Sequence, residues 1–484
     1  MFHLENMKMK FKILMLLAAI VAIYSSCKKD LGNYDYNPPS EPTIAVFKDS
    51  TFSALLGDSL ILKPVIGLEG ADPMKDLSFE WRILLLEDLK EVVYTGYPLR
   101  MIYNLGPGLR NSKLIITDNR NGLQYVVPFK ILGTTAYSRG QLILSDDNGE
   151  SKLSFVSADG KSVQPDVYKS LNAETLPSHP LEIYYATPMF GQTATLEEYW
   201  ILCNDPAKPS VILNSSTLLK KRDFTSQFFS PPARIVPGHL EGVFGAVAAG
   251  VINSKFYVGT MSTAPFAPDY GKFANEQAGD YLLSKYFSKG SNFFFAYDTK
   301  SKGFVLFAGD GSYLGKDYTV DNSANAFDPK NVDMQELLFM QTGEAGTFYA
   351  FFKGADGNVY ELTFNYQLAS TGRKITAERK RVFKASAQIL ADTKWQRNSL
   401  NVFYFSSNDK IYRYNPLNEE IRMLDADFGG KKISMLKISK DDNTLTVGTS
   451  GAVYTLDVAV GKNGNITQTV NGIPGAPVDI IIRK

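Results

Sequence analysis

Cysteine is nearly absent. The 484 residues hold two, Cys27 and Cys203. If Cys27 is modified, Cys203 stands alone and no disulfide can form within the chain, so stability must come from buried area. Histidine is as scarce: there are three, and only His179 and His239 lie beyond the N-terminal segment. The chain has no His-Glu-x-x-His, no paired-cysteine motif and no Gly-x-Ser-x-Gly elbow. Zinc chemistry and a Ser-His-Asp triad are therefore not expected, and no metal or cofactor is predicted. Long apolar runs are missing too. Residues 13–23 form an apolar stretch too short to cross a bilayer comfortably. Neither charge sign dominates, with 51 Lys+Arg against 50 Asp+Glu and a formal net charge of +1. Losing residues 1–26 would remove Lys8, Lys10, Lys12 and Glu5, turning that +1 into −1. With no basic stripe, nucleic acid is not an expected partner.

What the chain has in quantity is Tyr (26) and Phe (31), beside only three Trp. Together with many Gly and Asn, this favours an all-β fold. Residues 398–424 show the grammar most clearly. Val402 to Phe405 reads as a strand, Ser407-Asn408-Asp409 as a turn, and Ile411, Tyr412 and Tyr414 as a second strand. Asn415-Pro416 turns again before Ile421 to Leu424. Similar hairpins recur from residue 137 onward, about 35–60 residues apart, which is the spacing of propeller blades with insertions. Residues 137–484 are therefore expected to form a β-propeller-like domain of six or seven blades, with a large irregular β-sandwich as the alternative.

The N-terminus reads as an export signal over residues 1–26. Lys8, Lys10 and Lys12 precede the apolar run, and Tyr24-Ser25-Ser26 leads into Cys27. This resembles a bacterial lipobox, with Tyr24 where Leu is usual, and makes Cys27 the expected lipidated residue. Residues 27–42, with Pro38, Pro39 and Pro42, read as a tether. Residues 43–134 read as a small β-sandwich. In residues 77–83 a period of two puts Leu77, Phe79, Trp81 and Ile83 on one face. Short strands with frequent turns and one buried Trp suggest an immunoglobulin-like sandwich.

Gly57-Asp58-Ser59, Phe79-Glu80-Trp81 and the run from Ile116 to Gly122 resemble PKD (polycystic-kidney-disease) domains. The start from Cys27 to Tyr36 and the segment from Leu144 to Gly149 resemble the PKD-like family of bacterial lipoproteins, over the whole chain. The usual Trp-Asp-Phe-Gly-Asp-Gly run is missing, because Arg82-Ile83 follows Trp81. The resemblance implies an outer-membrane lipoprotein exposed at the cell surface. It also implies SusC/SusD-type importers as partners and uptake of a glycan or peptide.

Two spans depart from blade grammar, residues 262–291 and 308–341. The first carries Phe266, Tyr270, Phe273, Tyr281, Tyr286 and Phe287. The second carries Tyr313 and Tyr318, and a short helix is expected around 332–340. Aromatics on long loops can stack on sugars or grip side chains, so these are candidate ligand-binding residues, with packing of the loop as the alternative. Phe224, Phe228 and Phe229 form a candidate partner contact, or a buried connection. Residues 146–150 and 118–122 have calcium-like composition without the alternating acidic spacing, and read as turns. Glu197-Glu198 and Glu419-Glu420 read as solvated edge charges. The expected function is a non-enzymatic binding or accessory lipoprotein. A carbohydrate-active propeller enzyme and a purely structural subunit are the alternatives.

Overall fold

Period-two burial shapes the N-terminal part of the computed structural model, which describes residues 40–483 other than 46, 188–196, 262–268, 275, 277, 291, 344–345 and 370–371. In the strand Leu77–Leu85 the residues Leu77, Phe79, Trp81 and Ile83 are buried and their neighbours are not. This strand pairs with Gly108–Asp118 on one side and Lys90–Thr95 on the other. Gln124–Thr134 and then Thr51–Leu55 extend the sheet, the last strand running parallel to its neighbour. Ser59–Leu62 pairs with Leu99–Ile102, and Thr43–Ala45 with Val65–Gly67. One core fills the space between, built from Phe47, Leu60, Leu62, Trp81, Ile116 and Phe129. The Trp81 ring lies edge-on to Phe129 (5.8 Å) and Phe47 (5.9 Å). Its Nε1–H donates to the Gly96 carbonyl at 2.8 Å, so the buried indole keeps its one hydrogen bond.

From Gly140 onward the described residues form seven sheets, antiparallel but for one edge strand. The first contains Val163–Gln164, Glu150–Ser157, Gly140–Asp147 and the last strand of the chain, Ala476–Arg483. The other six begin with Pro180–Ala186, Pro237–Gly242, Leu283–Lys289, Glu336–Thr342, Trp395–Arg397 and Ile433–Ile438. From these first strands each sheet runs outward strand by strand in chain order, except where Thr319–Asp321 joins the far edge of the fifth.

The apolar side chains between sheets fall into separate cores. Leu144, Phe155, Tyr199 and Ile201 join the first sheet to the second. Trp200, Phe224, Phe228 and Tyr257 join the second to the third. Corresponding cores lie between the third and fourth, fourth and fifth, fifth and sixth, and sixth and seventh. A last core places Ile143, Val156 and Ile480 of the first sheet against Met435, Val453 and Val470 of the seventh. The turn into the last strand needs glycine: Gly475 has φ +61, and a Cβ there would come within 2.1 Å of the Asp146 carbonyl oxygen.

Several expectations are corrected here. The helix expected around 332–340 is instead the strand Glu336–Thr342, paired with Thr347–Lys353. Leu337 and Met340 have helix-like spacing, but backbone pairing with the neighbouring strand decides the conformation. The two spans read as departures from blade grammar hold sheet strands: Leu283–Lys289, Tyr313–Gly315, Thr319–Asp321 and Glu336–Thr342. The Glu197-Glu198 pair is not a solvated edge. Glu198 is buried and pairs with Arg222 (2.6 Å) and Lys221 (2.7 Å), and Glu197 pairs with Arg483 (3.2 Å). Cys203 sits in the core beneath Ser151, and burial pushes its thiol up to about 12. The export segment, Cys27 and most of the tether lie outside the described residues.

Candidate functional site

The first strands of the second to seventh sheets and the last strand of the chain converge on one cavity of about 410 Å³. Each contributes side chains: Glu182, His239 and Glu241, Lys285 and Tyr286, Phe339, Gln396, Lys437, and Asp479. Asp392 and Lys394 join them from the loop before Trp395. A strand that packs on neighbours to either side places apolar residues there and leaves its intervening residues to face the middle. Leu436-Lys437-Ile438 and Val478-Asp479-Ile480 follow this pattern, whereas Leu181 beside Glu182 is itself exposed in the cavity.

The carboxylates are engaged. His239 lies between two of them, with Nδ1 3.4 Å from Glu182 and Nε2 3.3 Å from Glu241. Burial disfavours the charged ring, but Glu182 and Glu241 outweigh it and hold His239 well above its ordinary pKa. The imidazolium can then donate to both carboxylates and link the second sheet to the third. Lys437 Nζ lies 2.9 Å from Asp479 Oδ1. The Ile183 N–H donates to Asp479 Oδ2 at 2.9 Å. Asp479 thus connects three sheets, and Lys437 is held above its ordinary pKa because Asp479 and Glu182 outweigh its burial. The side chains of Lys437 and His239 are 40% and 39% exposed, and that surface opens into the cavity. Asp392 pairs with Lys432, which holds its carboxyl below the usual range.

Most of the aromatics picked out from sequence are elsewhere. Phe273, Tyr281 and Tyr318 are buried, as is Phe287, so they do not offer a face to a ligand. Phe273 packs against Phe228 (5.2 Å) and Trp200 (6.2 Å). Tyr281 stacks on Tyr313 (4.6 Å), which is half-buried, and the Tyr318 hydroxyl donates to the Phe304 carbonyl at 2.8 Å. The reason is geometric: sheets that share a core leave a gap between them that large rings fill. The Tyr270 hydroxyl donates to the Gly245 carbonyl at 2.7 Å, pinning its loop. Phe266 lies outside the described residues. Among the described residues, Tyr286 alone of the expected ligand contacts lines the cavity. The expected partner contact also divides: Phe224 and Phe228 belong to the core between the second and third sheets, while Phe229 is 50% exposed with Lys272 over its ring.

Sequence reasoning missed Glu182, His239, Lys285, Lys394, Lys437 and Asp479. His239 belongs to the strand Pro237–Gly242, although its Pro-Gly-His sequence looks like a loop. The available signal was a charged residue flanked by apolar ones in the first strand of several units. Asp146 to Gly149 is a turn, with the Gly149 N–H donating to Asp146 Oδ1 at 2.6 Å. Among the described residues no group of three His, Cys, Asp or Glu could hold a metal ion. Among the same residues, no helix is long and apolar enough to cross a membrane.

Residues 27–180 match the PKD-like family. The resemblance expected over the whole chain is thus found over this part of it. The PKD-like match takes in the sandwich strands and continues through the hairpin of Gly140–Asp147 and Glu150–Ser157. No curated protein matches the chain. Among solved structures, a quinonprotein alcohol dehydrogenase-like protein from Bacteroides thetaiotaomicron is similar at 14% identity and a TM-score of 0.45, covering 92% of this chain and 99% of the other. The extracellular domain of a one-component system from B. thetaiotaomicron is similar at 10% identity and a TM-score of 0.37, covering 87% and 66%. A protein of Desulfotomaculum acetoxidans is similar at 11% identity and a TM-score of 0.39, covering 71% and 98%. None of these likenesses bears on function.

Proposed function

We propose that the chain is a non-enzymatic ligand-binding lipoprotein, anchored at Cys27 to the outer membrane and exposed at the cell surface. It serves as an accessory component of a SusC/SusD-type uptake system for a glycan or peptide. In this reading the seven sheets are the blades of a β-propeller, the higher of the two counts expected from sequence. The last strand, Ala476–Arg483, completes the first blade and so closes the ring. The sandwich is the stalk, and the central cavity is the ligand site.

One observation carries the choice of binding over catalysis. Every carboxylate lining the cavity has a cationic partner: Glu182 and Glu241 share His239, Asp392 has Lys432, and Asp479 has Lys437. Acid–base hydrolysis of a glycosidic bond requires a pair of carboxyl groups in opposite protonation states, one of them kept neutral. A cation beside each carboxylate works against that division and suits a rigid, charge-matched recognition surface. Incubating the intact protein with panels of oligosaccharides and peptides tests the reading. The expected result is saturable binding with the ligand recovered unchanged by mass spectrometry. Release of a cleaved product, abolished by substituting Glu182 or Asp479, would contradict it.

A further inference from the structure

The charges of the cavity do not cancel evenly around its wall. Three of its four acidic groups, Asp479, Glu182 and Glu241, come from the first, second and third sheets, and the fourth, Asp392, lies before the first strand of the sixth. Asp479 is matched by Lys437, and Glu182 and Glu241 by His239. Lys285 on the fourth sheet and Lys394 at the start of the sixth line the same cavity. Neither lysine forms an ion pair among the described residues. Asp392, next to Lys394, is already taken by Lys432. Burial, and after it the charge of Lys285, push the Lys394 amine below its ordinary pKa against the opposing charge of Asp392, so the two cations repel.

Between these lysines lies an aromatic wall. Tyr286 meets Phe339 edge-on at 5.7 Å, and Phe339 stacks on Trp395 at 5.6 Å. Tyr286 is half-buried and lines the cavity, with Lys285 Nζ 5.0 Å from its ring centroid. Gln341 and Gln396 line the same region and carry amide groups able to meet hydroxyls. A cavity of about 410 Å³ is of the size that takes a small organic ligand. Two unmatched cations, an aromatic face and amides within one cavity call for a ligand with a negative group, a weakly polar ring face and hydroxyls.

We propose that the cavity takes an acidic sugar, with its carboxylate between Lys285 and Lys394 and its ring against Tyr286. This rests on the binding reading above and names its ligand class. An anion placed there would relieve the repulsion between the two amines, which a neutral sugar could not do.

Calorimetric titration of the intact protein in mild detergent tests it, with D-glucuronate, D-glucose and inorganic phosphate as probes. Glucuronate is expected to bind at least ten-fold more tightly than either other probe, and to weaken as salt is raised. Lys285→Met and Lys394→Met should each lower glucuronate affinity ten-fold or more with the melting temperature unchanged. Should Lys394→Met fail to fold, Lys285→Met, at an exposed position, gives the same reading. Equal binding of glucose and glucuronate, insensitive to both substitutions, would overturn the acidic-sugar assignment and leave the cavity a binding site. Phosphate binding as tightly as glucuronate would show that the cations act alone and would overturn the role of the ring face. If none of the probes binds, the assignment is wrong, and the oligosaccharide and peptide panel decides separately whether the chain binds ligands at all.

Discussion

A chain ending at Gly475 is expected to lose the cooperative fold of residues 140–475 while the N-terminal sandwich still forms. The deleted strand, Ala476–Arg483, pairs along the length of Gly140–Asp147, with Leu142 opposite Ile481 and Ile143 opposite Ile480. Without it, Gly140–Asp147 becomes an open edge with unpaired backbone groups. The core between the seventh and first sheets loses Ile480, and Ile143, Met435 and Val453 face water. Each large apolar side chain so exposed costs roughly 1.5–3 kcal/mol. Lys437 also loses Asp479, and the Ile183 N–H loses its acceptor. Together these losses rival the total stability of a typical domain, about 5–15 kcal/mol. Near-UV circular dichroism should show the loss of tertiary signal, and calorimetry should retain only the smaller transition of the sandwich. A peptide of residues 476–484 added in trans should restore part of the signal. A truncated chain melting within a few degrees of the full one would contradict the closure.

The second large effect is expected at Glu361. Its carboxylate is fully buried between the fifth and sixth sheets. It accepts from Arg379 Nη2 (2.9 Å) and Arg381 Nη2 (2.9 Å), and from the Tyr414 hydroxyl. Arg381 Nη2 also donates to the Pro416 carbonyl at 2.8 Å. Glu361→Ala would remove the anion that Arg379 and Arg381 share, leaving Arg381 only its pair with Glu419 at 3.0 Å. Breaking a buried pair in this way costs about 3–5 kcal/mol, because the remaining charge stays desolvated. Glu361→Gln, which keeps the shape and some hydrogen bonds, should cost less. The exposed pair of Glu420 with Arg422 is the control, since removing it should cost no more than about 1 kcal/mol. Guanidinium denaturation of the three variants measures this. A change below about 1 kcal/mol for Glu361→Ala would mean that the cluster does not join the two sheets.

The parts of this fold legible in the sequence are those whose signal is local. Period-two alternation placed Leu77, Phe79, Trp81 and Ile83 on one buried face. Turn chemistry at Ser407 to Asp409 marked the hairpin of Phe403–Ser407 and Lys410–Asn415. The first strand of that sheet, Trp395–Arg397, gives no readable signal, because three residues are too short a pattern. The aromatic segments were misread for a different reason. Phe273, Tyr281 and Tyr318 stand among polar and glycine residues, so they look like loop aromatics, yet each fills space between elements brought together from elsewhere in the chain. The cavity residues were the least legible. Asp479 meets the Ile183 N–H across 296 positions of sequence. A single charged residue inside an apolar strand carries no mark of the groups it will face. Only the arrangement of seven sheets brings these side chains together.

An anchored accessory role in uptake is open to direct test by co-isolation. The native protein would be extracted from outer membranes in mild detergent, captured through a C-terminal tag, and its partners identified and quantified by mass spectrometry. The account predicts a SusC/SusD-type importer in near-stoichiometric amount, lost together with membrane attachment when Cys27 is replaced by serine. Recovery of the chain alone, or from the soluble fraction with Cys27 intact, would contradict it.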